Sequence, residues 1–233
     1  MPRQLVANPP WVTRAIAGSM EILQAKVPPQ WLPRLASVKA APRGVMTAKM
    51  KEYGCGSYGC VLPSLDDNVV IKATTDTTEA EFAVDLSPTL AAPIVVEYFM
   101  AVALSAKHNG VPITLLWRES AENVGEVEKV LGKRAEDLVD RQHKAAQRAF
   151  AAVYEREPVE VVRPLLDEWL DRCRDLRAVP ELRELGEGFV KVFEEQGVLF
   201  GDVHTGNLGL VDRDGGKRWL IVDPGNVAVI TKA

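Results

Sequence analysis

The segment Gly54-x-Gly56-x-x-Gly59-x-Val61 constrains the fold of this chain more than any other part of the sequence. Glycines at this spacing let a backbone approach phosphate groups closely and adopt positive φ angles. In a dinucleotide-binding turn they would open a helix, but Val61-Leu62-Pro63 and the turn residues Asp66-Asp67-Asn68 follow here. The sequence therefore predicts a loop that joins two strands. The residues expected to cover phosphate groups are Gly54, Gly56, Ser57, Tyr58, Gly59 and Val61.

Bulk composition narrows the class of protein and its partners. With 233 residues, 47% of them hydrophobic, the chain is expected to form one compact domain or two small lobes. A net charge of −4 argues against a large nucleic-acid surface. No apolar run approaches the roughly 20 residues of a membrane span, and no signal-peptide pattern opens the sequence. The three cysteines form no Cys-x-x-Cys pair, which favours a reducing cytoplasm over a disulfide framework or a zinc site.

Hydrophobic periodicity and turn residues predict an α+β chain with a β-rich part, a helical part and a final β-hairpin. The proline-rich residues 1–50 are expected to be an N-terminal helical extension, with one helix from Trp11 to Val27. Further helices are expected at 77–86 with Asp76 as N-cap, at 122–157 with a break near Gly132, at 161–176 and at 180–196. Strands are expected at 61–62, 69–71, 94–104, 113–117, 198–200, 208–211 and 219–222.

Lys72 ends the apolar strand Val69-Val70-Ile71-Lys72, where a cation can contact phosphates if a carboxylate from a neighbouring helix holds it in place. Glu79 and Glu81 are the nearest candidates for that carboxylate. Glu79 is preferred because helical spacing puts it on the same face as the apolar Phe82. Glu97 is a third alternative, which applies if residues 94–104 form a helix instead of a strand.

Two polar segments follow apolar strands near the C-terminus. The first is Gly201-Asp202-Val203-His204-Thr205-Gly206-Asn207, and the second begins with Asp223-Pro224-Gly225. Each reads as a turn when taken alone, but both lie downstream of the glycine segment and Lys72. Magnesium favours oxygen ligands and few protein ligands, which Asn207 and Asp223 satisfy. His204 is expected to shape its own loop, and no role is expected for His108 or His143.

In this order, the segments resemble the protein-kinase-like superfamily. Asp202-x-His204-x-x-Asn207 is similar to the aminoglycoside and choline phosphotransferase branch, because eukaryotic protein kinases have lysine where His204 stands. Asp223-Pro224-Gly225 occupies the place of the family's metal-binding Asp-Phe-Gly. The resemblance covers about residues 50–228.

The resemblance implies a two-lobed kinase-like fold that uses ATP and Mg²⁺. Residues 51–120 would be the β-rich N-lobe, and residues 121–233 a reduced helical C-lobe. Asp202 would be the catalytic base, with Lys72 and Glu79 as the phosphate clamp. The implied metal ligands are Asn207 and Asp223. The strand and hinge at 113–120, which include Glu119, would contact adenine.

The chain departs from larger relatives because it ends at Ala233, soon after Asp223. No full activation segment or later helices are expected, so the resemblance is to a minimal form that a protein partner would complete. Three functions stay open. The first is an ATP- and Mg²⁺-dependent phosphotransferase acting on a hydroxyl of a protein or small molecule. The others are a nucleotide-binding pseudokinase that serves as a regulatory or interaction module, and an AMP transferase on the same fold.

Overall fold

The computed structural model describes residues 59–62, 69–108, 110–213 and 215–230, and it has the mixed α+β character that the sequence predicts. Its contacts divide the chain into two compact units. The first unit takes in Met1–Ala80 and Tyr98–Glu119, and the second takes in Glu81–Glu97 and Ser120–Ala233. Residues 81–97, which the resemblance assigns to the N-lobe, thus group with the second unit. The helix expected from Trp11 to Val27, the glycine segment before Gly59 and the turn at 66–68 lie outside the described residues.

An antiparallel sheet of four strands, in the order β1-β2-β4-β3, forms most of the described part of the first unit. The strands are β1 Gly59–Leu62, β2 Val69–Thr74, β3 Tyr98–His108 and β4 Val111–Glu119. The central strands β2 and β4 are apolar and supply the buried side chains Ile71, Ala73, Ile113, Leu115 and Leu116. The strands agree with the prediction, except that β3 runs from Tyr98 to His108 and not over residues 94–104.

Residues 94–96 are apolar like a strand but pair elsewhere. Val96 N donates to Ile221 O at 3.0 Å, and Ile221 N donates to Ile94 O at 2.9 Å. This parallel bridge lies within the second unit. A largely apolar stretch of sequence therefore contains two segments with different partners, and periodicity alone cannot separate them.

Short helical segments precede this bridge. Helix α1, Thr77–Glu81, begins where Asp76 Oδ1 accepts hydrogen bonds from Thr78 N at 2.9 Å and Glu79 N at 3.3 Å, so Asp76 is the predicted N-cap. A π-helical turn at Phe82–Leu86 and a 3₁₀ turn at Ser87–Thr89 follow.

Four helices build the larger part of the second unit. They are α2 Val127–Leu131, α3 Lys133–Tyr154, α4 Val159–Asp175 and α5 Arg183–Gln196. The predicted break falls at Gly132, which has a φ of 86°. The first of these helices begins at Val127 and not near Glu122, because Glu122 exchanges two backbone hydrogen bonds of 2.8 Å with Leu210. No helix in the described part of the chain is both long and apolar enough to span a membrane.

The core of the second unit includes a series of aromatic rings in contact with one another. Phe200 contacts Phe82 and Phe189 edge to face at centroid distances of 5.8 and 5.9 Å, and Phe189 contacts Trp169 at 6.3 Å. These rings come from segments that are distant in sequence. Edge-to-face contacts between them fix the position of Phe200, and the polar loop of the candidate site begins directly after that residue.

Two small antiparallel pairs complete the second unit. Strand β5 Val198–Phe200 pairs with β8 Val227–Val229, and β6 Leu208–Arg213 pairs with β7 Gly216–Ile221. The β6–β7 hairpin is predicted correctly. Strand β8 is not, because its short run has no alternation of buried and exposed positions.

Candidate functional site

The predicted pairing of Lys72 with Glu79 is present in the first unit. Lys72 Nζ lies 2.7 Å from Glu79 Oε2, and the two side chains are 9% and 0% exposed. In the sheet register, Lys72 is opposite Val61 on one side and Leu116 on the other. The lysine is therefore held by a central strand, and its charge is balanced inside the protein.

Local hydrogen bonds explain why the Glu79 carboxylate reaches Lys72. Asp76 and Glu79 have the spacing of a capping box, in which the glutamate would turn back to the backbone N–H of the N-cap residue. Here that N–H donates instead to Thr74 Oγ1 at 3.0 Å. The Asp76 N–H is thus satisfied by the last residue of β2, and the Glu79 carboxylate is left for the lysine.

Tyr98 adds a second contact to the same carboxylate. Its hydroxyl donates to Glu79 Oε1 at 3.2 Å, so the two oxygens of Glu79 take different partners. A fully buried carboxylate needs such partners to offset its loss of water. Sequence reasoning missed Tyr98, because a tyrosine at the start of a strand gives no sign of the helix it will face.

The other described residues that were predicted to bind nucleotide lie in strands β1 and β4 of this sheet. Gly59 and Val61 lie in β1, opposite Thr74 and Lys72, while Gly54, Gly56, Ser57 and Tyr58 lie outside the described residues. Glu119 ends β4, and its carbonyl accepts a hydrogen bond of 3.4 Å from Arg118 Nη1. The predicted phosphate-covering segment therefore ends in β1, the strand that pairs with β2 and places Val61 opposite Lys72.

In the second unit, the loop after β5 brings Asp202 and Asn207 together. Asn207 Nδ2 donates to the carbonyl oxygen of Asp202 at 2.8 Å, and Asn207 N donates to His204 O at 2.9 Å. A 3₁₀ turn at Thr205–Asn207 closes the loop. The side-chain nitrogen of Asn207 is thereby engaged with the backbone, which fixes the amide and leaves its oxygen as the atom for a ligand.

Asp223 is tied to the same loop through the backbone. Val222 N donates to Asn207 O at 2.8 Å, so the strand that precedes Asp223 pairs with the end of the loop. Gly225 lies so close to Asp202 that a Cβ on it would be 3.1 Å from Asp202 Oδ2. The loop that carries Asp202 and Asn207 is thus hydrogen-bonded through its backbone to the segment that leads to Asp223.

Two histidines border Asp202. His143 of α3 places Nε2 4.0 Å from Asp202 Oδ1, and its ring meets that of His204 edge to face with centroids 5.4 Å apart. Gly206 N donates to His204 Nδ1 at 3.0 Å, as expected for a histidine that shapes its own loop. Burial lowers the pKa of His143, and the positive charge of Lys144 and the proximity of His204 act in the same direction.

The donor set is compatible with a magnesium site shared with phosphates. Within the described residues, no group of three or more histidine, cysteine, aspartate or glutamate side chains is arranged to hold a metal ion. Asn207 and Asp223 offer one amide oxygen and one carboxylate. Magnesium commonly binds with one or two carboxylates and completes its shell with phosphates and water.

No family model matches the chain, and no curated protein is similar to it in sequence.

His143 and Gly225 are the residues of this region whose place the sequence does not reveal. His143 lies at the border of the buried stripe of α3, next to the buried Gln142. A histidine at such a border was the available signal, but the dense charge of the helix favours a solvated face. Gly225 reads as a turn residue after Pro224, although its closeness to Asp202 leaves little room for a side chain.

Proposed function

We propose that this chain is an ATP- and Mg²⁺-dependent phosphotransferase with a two-lobed kinase-like fold, acting in the cytoplasm on a hydroxyl of a protein or small molecule. The observation that carries the proposal is the buried ion pair of Lys72 and Glu79, at 2.7 Å. A lysine on a strand, held by a carboxylate from the following helix, is the group that contacts the α- and β-phosphates in kinase-like enzymes. Buried ion pairs seldom add net stability, so a use in binding is the better explanation.

The loop of the second unit supports the same chemistry. Asp202 is about one-third exposed, which suits a carboxylate that must reach an acceptor hydroxyl. Asn207 and Asp223 are joined through the backbone of Val222. The first unit therefore carries the proposed phosphate clamp, and the second unit carries the proposed catalytic base and metal ligands.

The proposed reaction transfers the γ-phosphoryl group of ATP. The acceptor oxygen forms a bond to the γ-phosphorus, the bond from that phosphorus to the β,γ-bridging oxygen breaks, and ADP leaves. Asp202 takes the proton from the acceptor hydroxyl, while Lys72 holds the phosphates that do not react. Asn207 and Asp223 would hold Mg²⁺, which neutralises phosphate charge when it is bound.

Calorimetric titration of the full chain with ATP, with and without Mg²⁺, tests this proposal. The parent protein and Asp202→Asn should both bind Mg-ATP, because Asp202 acts on the acceptor and not on the nucleotide. Asp223→Ala should weaken Mg-ATP binding by roughly tenfold or more, as expected when a charged ligand is lost. Absence of binding by the parent under both conditions would contradict the proposal, as would equal affinity in Asp223→Ala.

Labelled ATP then separates the three functions. A label in the γ-phosphate should appear on the acceptor after incubation, and Asp202→Asn should abolish the transfer. Transfer of a label in the α-phosphate would instead establish AMP transfer. Mg-ATP binding with no transfer to any acceptor tried would favour the pseudokinase.

A further inference from the structure

His143 contacts the proposed catalytic base from outside the loop that carries it. Within the second unit, α3 places the His143 ring so that Nε2 faces Asp202 Oδ1. The side chain is only 15% exposed, and the edge-to-face contact with His204, at an interplanar angle of 69°, limits its rotation. Helix and loop together therefore fix which nitrogen of His143 the carboxylate meets.

The other ring nitrogen, Nδ1, indicates the protonation state of His143. His143 Nδ1 is buried and has no hydrogen-bond partner in the part of the chain that the structure describes. A proton on Nδ1 would be a buried donor without an acceptor, which is unfavourable. A neutral ring with its single proton on Nε2 avoids this and directs that proton towards Asp202.

The surrounding charges are consistent with a neutral ring. Burial lowers the pKa of His143 below its ordinary value of 6.5. Asp202 from the loop and Asp140 from α3 oppose this shift, while His204 and Lys144 add to it. The shift is downward although a carboxylate faces the ring, so desolvation outweighs that attraction.

We propose that His143 is a positioning residue for Asp202: its neutral imidazole presents Nε2–H to Oδ1 and holds the carboxylate in the orientation that accepts the proton of the acceptor. This inference rests on the proposed function. The separation of 4.0 Å is longer than a hydrogen bond, and catalytic hydrogen bonds commonly shorten when substrate binds. His204 limits the other face of the ring, and its own Nδ1 is occupied by Gly206 N.

The first test is an NMR titration of the histidine rings in the full chain. The sequence has three histidines, and the signals lost in His143→Gln identify His143. We expect the His143 ring to titrate below pH 6.5 as the Nε2–H tautomer. In Asp202→Asn its pKa should fall further, because the carboxylate that raises it is gone. A pKa at or above 6.5, or one that Asp202→Asn leaves unchanged, would overturn the inference.

The second test measures turnover of Mg-ATP in a matched pair of variants. His143→Gln keeps an amide N–H at a reach similar to Nε2, whereas His143→Leu keeps the bulk without a donor. We expect near-parent turnover in His143→Gln and a loss of roughly three- to tenfold in His143→Leu. Both variants should bind Mg-ATP as the parent does. Equal turnover in His143→Leu and the parent would overturn the positioning role.

The two tests separate this inference from the proposed function. A parent protein that consumes no ATP and transfers no label would refute the phosphotransferase and, with it, the catalytic use of His143. The titration would still decide whether His143 and Asp202 are coupled, because it needs no turnover. A cooperative unfolding transition in His143→Leu that matches the parent's would show that its loss of turnover does not come from misfolding.

Discussion

Glu79 is a fully buried carboxylate whose charge is balanced by the neighbouring Lys72. Changing it to glutamine preserves the shape of the side chain and removes the negative charge. The Lys72 ammonium then lies inside the protein without a counter-charge, which costs about 3 kcal/mol or more. We therefore expect Glu79→Gln to lower the free energy of unfolding by that amount, as measured by urea denaturation.

Glu81 provides the control, because it lies in the same short helix and is exposed. Glu81→Gln should change the free energy of unfolding by no more than about 0.5 kcal/mol. If the two variants were equally stable, the ion pair would not be the buried interaction described above. The same comparison also distinguishes the two carboxylates that the sequence offers as partners for Lys72.

Sequence reasoning works at the residue scale where the partners are close in the chain. Glu79 could be chosen over Glu81 because both lie on one helix, whose periodicity tells its faces apart. His143 could not be connected with Asp202, since the two come from a helix and a loop that only tertiary packing joins. Tyr98 was missed for the same reason, as its partner Glu79 lies 19 positions earlier in the chain.

At the scale of elements, the glycine after α5 is required for two reasons, a left-handed backbone and the close approach of another segment. Gly197 has a φ of 70°, and a Cβ there would collide with the carbonyl oxygen of Ile230. An alanine would incur both the cost of a left-handed backbone and that of overpacking. We expect Gly197→Ala to lower the free energy of unfolding by about 3 kcal/mol, as measured by chemical denaturation.

Gly215 is the control that separates the cost of the left-handed backbone from the cost of overpacking. Its φ of 76° is similar, but a Cβ on it would meet open space. Gly215→Ala should therefore cost only about 1 kcal/mol, the conformational part alone. A Gly197→Ala protein no less stable than Gly215→Ala would show that the chain near Ile230 moves aside without cost.

The bounds of a helix or strand can be predicted where residues within that element set them. The break at Gly132, the N-cap at Asp76 and the β6–β7 hairpin depend on residues within the element, and all three were found. Strand β8 depends on its partner β5, and its three residues carry no pattern of their own. The late start of α2 has the same cause, because the backbone pairing of Glu122 with Leu210 competes with the helix.

At the scale of the whole molecule, the two units take up alternating stretches of sequence. Residues 81–97 belong to the second unit although residues 98–119, which follow them, belong to the first. The stretch supplies Phe82 to the aromatic core and pairs its backbone with Ile221. The domain division drawn from the sequence does not show this, because boundaries read from composition divide a chain into consecutive stretches.

The alternation predicts that residues 120–233 do not fold alone. Without residues 81–97 the edge of Ile221 lacks its backbone partner, and the apolar surface around Phe200 is uncovered. We expect this fragment to show no cooperative thermal transition by circular dichroism. A synthetic peptide of residues 81–97 should restore the transition when it is added in excess.

A peptide with Ile94→Asp is the matched control. Ile94 packs so closely on Gly188 that a Cβ there would collide with it, and a charge at this position cannot be buried without a partner. That peptide should not restore the transition. A fragment that melts cooperatively by itself would show that residues 81–97 are an addition to the second unit and not a part of its core.

The hydrogen bond from Asp76 N to Thr74 has a consequence for how strand pairing and the ion pair depend on each other. Lys72 and Thr74 are two positions apart on β2, so they share one face of the strand. This face of β2 thus supplies the Lys72 ammonium and also the Thr74 hydroxyl. The hydroxyl accepts the hydrogen bond of Asp76 N, so the Glu79 carboxylate is left for Lys72. A slip of one residue in the pairing of β2 would turn both side chains to the opposite face at once. The Lys72–Glu79 ion pair and the Thr74 hydrogen bond therefore depend on the same face of β2, and the burial of both depends on one alignment of the sheet.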